Sequence, residues 1–85
     1  MPWRVMVTPR AARDVGSLPP PVLRRVDPCI QGLGVDPRPR GCHKLRGSED
    51  VWRLRVGDYR ILYVVDDERK VITIARVLHR SVAYR

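Results

Sequence analysis

The stretch VWRLRVGDYRILYVV, residues 51–65, sets three guanidinium groups, Arg53, Arg55 and Arg60, among residues that favour burial. Gly57 and Asp58 suit a two-residue hairpin loop, with a type II′ turn natural for glycine in the first position. Closing the loop there pairs Val56 with Tyr59, Arg55 with Arg60, Leu54 with Ile61, Arg53 with Leu62 and Trp52 with Tyr63. Side chains alternate across a sheet, so Trp52, Leu54, Val56, Tyr59, Ile61 and Tyr63 share one apolar face and the three arginines share the other. Like charges directly opposite one another destabilise a sheet, unless an anion or an acidic partner neutralises them. The expected chemistry is therefore anion binding, at a phosphate-sized electropositive patch on a rigid support. A plainly solvated arginine face is the alternative reading of the same residues.

The rest of the chain supplies the frame for that hairpin. WRVMVT, residues 3–8, alternates and reads as a first strand. PRAARDVGSL reads as a short helix ended by Gly16 and Ser17. PPPVLRRVDPCIQGLG opens with prolines, which suit a helix N-terminus, and Val22, Leu23, Val26, Ile30 and Leu33 fall roughly on one helical face. Pro28 lies inside that pattern and is expected to kink or break the helix, because it removes a backbone hydrogen bond. GVDPRPRG, residues 34–41, reads as a loop; CHKLRG as a short strand; residues 51–56 and 59–65 as the hairpin; DDERK as a turn; and VITIARV as a last strand before the tail LHRSVAYR. The order is β-α-α-β-β-β-β. The expected fold class is α+β, with two helices packed on one face of a mostly antiparallel sheet and a single domain over residues 1–85.

Composition narrows the partner class. The chain has 85 residues and a formal net charge of +8, and Lys44 and Lys70 are its only lysines. Such a balance favours polyanions, nucleic acid first and an acidic protein second, although an arginine-rich codon bias accounts for part of the total. No apolar run approaches the roughly 20 residues of a membrane span. MPWRVMVTPR lacks the apolar core of a signal peptide, so a cytoplasmic location with no membrane partner is expected. Cys29 and Cys42 form neither a metal motif nor a disulfide framework.

At HKLRG, VWRLRVGDYRILYVV and VLHRSVAYR the sequence resembles the RelE/ParE superfamily of type II toxins, over essentially the whole chain. The resemblance is strongest in GDYRILYVVDD, followed by a late His-Arg and a tyrosine near the end. It implies a RelE-like toxin domain that enters the ribosomal decoding site and cuts messenger RNA. In that reaction a 2′-hydroxyl attacks the adjacent phosphate and leaves a cyclic phosphate, which requires a base, cations for the phosphorane charge and an acid for the leaving oxygen. The RelE branch uses two basic residues of one strand, an arginine after the hairpin turn, a late arginine and a late tyrosine. The matching positions here are Arg53, Arg55, Arg60, Arg80 and Tyr84.

The match departs from the RelE pattern at two of these positions, where the branch has lysines and this chain has Arg53 and Arg55. A guanidinium stays protonated and is no base. The resemblance offers two other proton carriers. His43 lies near the position of a catalytic glutamate, and His79 at that of a catalytic histidine, in a branch similar to YoeB. An imidazole can give or take a proton near neutrality. With arginines at 53 and 55, His79 is expected to carry more of the acid–base work than a late side chain does in lysine-bearing relatives. Tyr84 is expected to stack on a base or orient the phosphate. The family also implies a cognate antitoxin in a heteromeric complex, messenger RNA on the ribosome as target, and no metal or organic cofactor. Two other readings stay open on the residues: a ParE-like inhibitor of DNA gyrase without nuclease activity, and a basic binding module without catalysis.

Overall fold

The computed structural model describes residues 3–47 and 50–83. Strand β1 (Arg4–Val7) leads into helices α1 (Pro9–Gly16) and α2 (Pro20–Leu33). Strands β2 (Cys42–Lys44), β3 (Val51–Val56), β4 (Tyr59–Asp66) and β5 (Val71–His79) follow, and a single-turn helix α3 (Arg80–Ala83) closes the described chain. The five strands form one sheet in the order β1-β5-β4-β3-β2. β1 runs parallel to β5 and every other pair is antiparallel. This is the α+β arrangement expected from the pattern, with the added short helix α3.

Each helix begins where its chemistry supplies a start. Thr8 caps α1 by accepting from the Ala11 N–H at 3.1 Å through its Oγ1. The same hydroxyl donates to the Ala75 carbonyl at 3.0 Å, tying the helix start to β5. α2 has no side-chain cap, but it opens on Pro20 and Pro21, which have no N–H to leave unsatisfied. Pro28 does not break α2, which continues to Leu33. The reason is where the residue falls: Val26, Ile30 and Leu33 are buried on one face, while Pro28 lies on the exposed side. The Arg24 carbonyl that loses its partner there can turn to water, and core packing holds the helix on the opposite side.

The hairpin register agrees with the sequence reading residue for residue, from Val56↔Tyr59 to Trp52↔Tyr63. Gly57 has φ +60, a conformation that L side chains rarely adopt, as a type II′ turn requires. A Cβ at Gly57 would also stand 2.8 Å from an Arg25 guanidinium nitrogen, so α2 closes over the turn at this point. The core lies between helices and sheet. Tyr63, Leu33, Ile61, Ile72, Ile74 and Val26 are its largest fully buried side chains.

One sheet edge needs special treatment. β1 pairs β5 only as far as Ile74, which leaves the upper part of β5 without a strand neighbour on that side. A bulge falls there as well: Leu62 pairs Arg76 and Tyr63 pairs Ile74, so Ala75 is the extra residue, and its carbonyl is the one that Thr8 satisfies. Two residues on, the Asp14 carboxylate of α1 accepts the Val77 N–H at 3.0 Å and the Arg76 guanidinium at 2.8 Å. The hydrogen bond from Arg76, with the Val77 N–H behind it, outweighs burial and holds the Asp14 carboxyl below the usual carboxylate range.

Candidate phosphate-binding site

The helix-free face of the hairpin carries a pocket of about 550 Å³, lined by Arg40, Gly41, His43, Arg53, Arg55 and Arg60 together with Leu54 and Gly57. Three strands and a loop position these groups. β3 and β4 set Arg55 directly opposite Arg60, the like-charge pair anticipated from the hairpin register. β2 sets His43 opposite Arg53, which brings an imidazole beside the arginines. The loop before β2 adds Arg40. Four guanidinium groups and one imidazole face a common volume, and no carboxylate of the described residues lines it.

Arg60 is the exception to the sequence reading of this face. It lies on the non-core side, as expected, yet it is 6% exposed and is the one buried charged residue among those described. Its strand is central, flanked by Arg55 on β3 and Leu78 on β5. Truncating Arg60 therefore removes packing as well as charge, although the face division of the hairpin alone places it on the side away from the core. Its Nη1 points toward the Tyr59 carbonyl at 3.5 Å. Arg55 is exposed and donates to the Gly57 carbonyl at 3.0 Å, which holds its guanidinium near the turn.

The two histidines are separated by the sheet. His43 lines the pocket. His79 pairs with Tyr59 on the last rung of β5, so alternation turns it to the side that bears the helices. There its ring meets the Tyr59 ring edge-on at 5.2 Å, and its Nδ1 lies 2.9 Å from the Ser81 hydroxyl. Arg80 is tied to the hairpin turn: its N–H donates to the Asp58 carbonyl at 2.7 Å, and its Nε stands 4.0 Å from the Asp58 carboxylate. That places it next to the turn, adjacent in sequence to pocket-lining Gly57, without lining the pocket itself. Tyr84 lies outside the described residues.

Arg40 is the lining residue that the sequence reading missed, having assigned residues 34–41 to a loop and no more. Its loop is pinned at several points. The buried Tyr63 hydroxyl donates to the Pro37 carbonyl at 2.8 Å. Desolvation pushes the Tyr63 phenol well above its usual range, which keeps it a donor. Arg38 forks onto the Asp67 carboxylate, at 2.7 and 3.2 Å, and lies over the Trp52 ring at 5.2 Å. That pairing raises the Arg38 guanidinium and lowers the Asp67 carboxyl. The Cys42 N–H donates to the Pro39 carbonyl at 3.1 Å. Gly41, at φ +93, turns the chain into β2. The run of arginines in DPRPRG was the available signal, and only its anchoring distinguishes it from a solvated loop.

The described residues form a sheet with helices on one face and, on the other, an arginine pocket lined by none of their carboxylates, an electropositive surface suited to an anion. Comparison with known proteins makes the class specific. The family described as ParE toxin of type II toxin-antitoxin system, parDE, matches residues 5–84. Toxin RelG of Mycobacterium tuberculosis is 38% identical over 86 residues, spanning 100% of this chain and 99% of that protein. A chain of the archaeal RelE–RelB complex from Pyrococcus horikoshii superposes with a TM-score of 0.83 at 34% identity, covering 94% of this chain and 97% of that one. A chain of the toxin–antitoxin complex RelBE2 from Mycobacterium tuberculosis gives 0.81 at 36% identity, covering 94% of this chain and 100% of that one. The chain belongs to the RelE/ParE family of type II toxins. Within it the chain is of the RelE type, since the RelE–RelB and RelBE2 complexes contain chains that it matches almost end to end. The same similarity supports a translation-inhibiting RelE-type toxin over the gyrase-directed alternative.

Proposed function

We propose that this toxin is a metal-independent endoribonuclease that cuts messenger RNA on the ribosome, with the arginine pocket as its reaction site. The observation that carries the reading is a pocket where, among the described residues, four guanidinium groups and one imidazole meet without a carboxylate. In-line attack of a 2′-hydroxyl on its neighbouring phosphate gathers charge on the non-bridging oxygens, and fixed cations in a partly dry site stabilise that charge most. Arg53, Arg55 and Arg60 hold the phosphate, and the burial of Arg60 strengthens its interaction by lowering the local dielectric. Guanidinium groups cannot take up the proton of the hydroxyl. Among the described residues that line the pocket, His43 alone carries a side chain able to act as acid or base, so His43 takes the acid–base role. Arg80, tied to the turn, steers the RNA at the pocket mouth, and Tyr84 stacks on a neighbouring base. His79, on the helix-bearing side, supports the end of β5 against Tyr59 and Ser81.

An antitoxin partner follows from the relatives. The Pyrococcus horikoshii and Mycobacterium tuberculosis chains were each solved in complex with an antitoxin, and a cognate antitoxin that neutralises this chain in a heteromeric complex is the corresponding expectation. The test of the nuclease reading is cleavage of a defined message on purified translating ribosomes, with both new ends mapped. Cyclic phosphate at the upstream end and a 5′-hydroxyl downstream support it. Intact message at saturating toxin rejects it.

A further inference from the structure

We propose that Arg40 is a further RNA-binding residue, which takes a phosphate flanking the one held by the hairpin arginines. The inference rests on the nuclease reading above and adds a residue to it. Three observations carry it. First, Arg40 lines the same pocket as Arg53, Arg55 and Arg60 but comes from another element, and the register Cys42↔Leu54 runs its loop along the sheet edge toward the hairpin turn. The pocket, at about 550 Å³, suits a nucleotide-sized ligand rather than a lone phosphate, so it has room for a second contact.

Second, the loop is held. Two residues before Arg40, Arg38 is clamped between Asp67 and Trp52; Pro37 is bonded to Tyr63; and Pro39 is bonded to Cys42. A guanidinium on so anchored a loop loses less freedom on binding than one on a loose loop. Third, Arg40 has no carboxylate partner among the described residues, unlike several other arginines. Arg38 meets Asp67, Arg76 meets Asp14 and Arg80 meets Asp58, whereas Arg40 makes no ion pair or hydrogen bond with any described residue. Its charge stays available at a site already too positive to be comfortable, and an RNA backbone resolves that repulsion.

The test is direct binding of the purified chain to a single-stranded RNA oligonucleotide, 2′-O-methylated throughout so that it cannot be cut, across a range of salt concentrations. Each phosphate contact on a single strand contributes about 0.7 to the log–log salt slope, so Arg40→Gln should lower the slope by about that amount and weaken binding about 5-fold at 0.1 M salt. Arg40→Lys keeps the charge and should restore the slope. Arg24→Gln, on the exposed side of α2 across the sheet, should bind as the parent does. In the ribosome assay Arg40→Gln should raise KM far more than it lowers kcat. If Arg40→Gln keeps the parent slope, or Arg24→Gln loses as much, the Arg40 contact is wrong, and continued cleavage by the parent shows that the nuclease reading survives. If the parent neither binds the oligonucleotide nor cuts message, the nuclease reading fails and the Arg40 contact falls with it.

Discussion

Arg60 occupies a position that few guanidinium groups tolerate, buried in the central strand beside a second arginine. Burial amplifies any charge it meets and makes the residue part of the packing. Arg60→Gln is expected to slow single-turnover cleavage on ribosomes by ~30- to 1000-fold, the loss of a transition-state contact of about 2–4 kcal/mol. Arg60→Ala should lose as much activity and also melt at a lower temperature than Arg60→Gln, because it empties space between β3 and β5; equal melting of the two would contradict the packing role. His43 belongs to the same scale. General acid–base assistance is worth about 10²–10⁴-fold, so His43→Gln should lose that much in rate and flatten the pH–rate profile. His79→Gln should leave both nearly as they are. The opposite ranking of the two variants would return the proton-transfer role to His79, as family resemblance alone had suggested.

At the scale of elements, the loop of residues 34–41 and the upper edge of β5 are each held by a few polar contacts. Tyr63→Phe removes the hydroxyl that fixes Pro37 and keeps the buried ring, so the cost should be about 0.5–1.5 kcal/mol of stability, read from urea unfolding. Its effect on RNA affinity should be absent in an Arg40→Gln background, because both changes act through the same loop. The β5 edge depends on Asp14. Its carboxyl is held low in the folded state by Arg76, so it contributes stability above the pH range where an unfolded aspartate titrates, near ~4, and that contribution is lost as pH falls through the folded value. Asp14→Asn should therefore be less stable than the parent at pH 7, and the gap should narrow in acid melts below about pH 4. A gap that stays constant to pH 2 would mean that the carboxylate charge contributes nothing at this edge.

For the whole molecule, a net charge of +8 on 85 residues sets the behaviour of the free chain. Among the described residues no helix is long and apolar enough to cross a membrane, and no cluster of His, Cys, Asp and Glu is fit to hold a metal ion. Induced expression of the chain alone should arrest bacterial growth, and co-expression of its cognate antitoxin should restore it. Normal growth with confirmed soluble expression would count against the toxin. The arrest should be relieved by Arg60→Gln in step with the loss of cleavage, which ties the cellular effect to the pocket rather than to nonspecific binding by a basic surface.

What the sequence by itself determined is local in character. The two-residue turn, the pairing of the hairpin and the division of its residues between two faces follow from period two and a glycine able to adopt positive φ, so Arg53, Arg55 and Arg60 were legible as one cluster. The order of the elements followed from changes of hydrophobic period in the same way. Tertiary structure decided whatever depends on neighbours distant along the chain. Pro28 stays helical because the core grips the other side of α2. Arg60 is buried although hairpin alternation alone put it on the face away from the core, on a strand flanked by both β3 and β5. Arg40 joins the pocket because Tyr63, Asp67 and Trp52, more than ten residues away in sequence, pin its loop. The two histidines part company for a similar reason: β2 turns His43 into the pocket, while the rung count along β5, shifted by the bulge at Ala75, turns His79 toward the helices. Spacing along one strand fixes which residues share a face, but which face meets which partner is settled only when the strands are assembled.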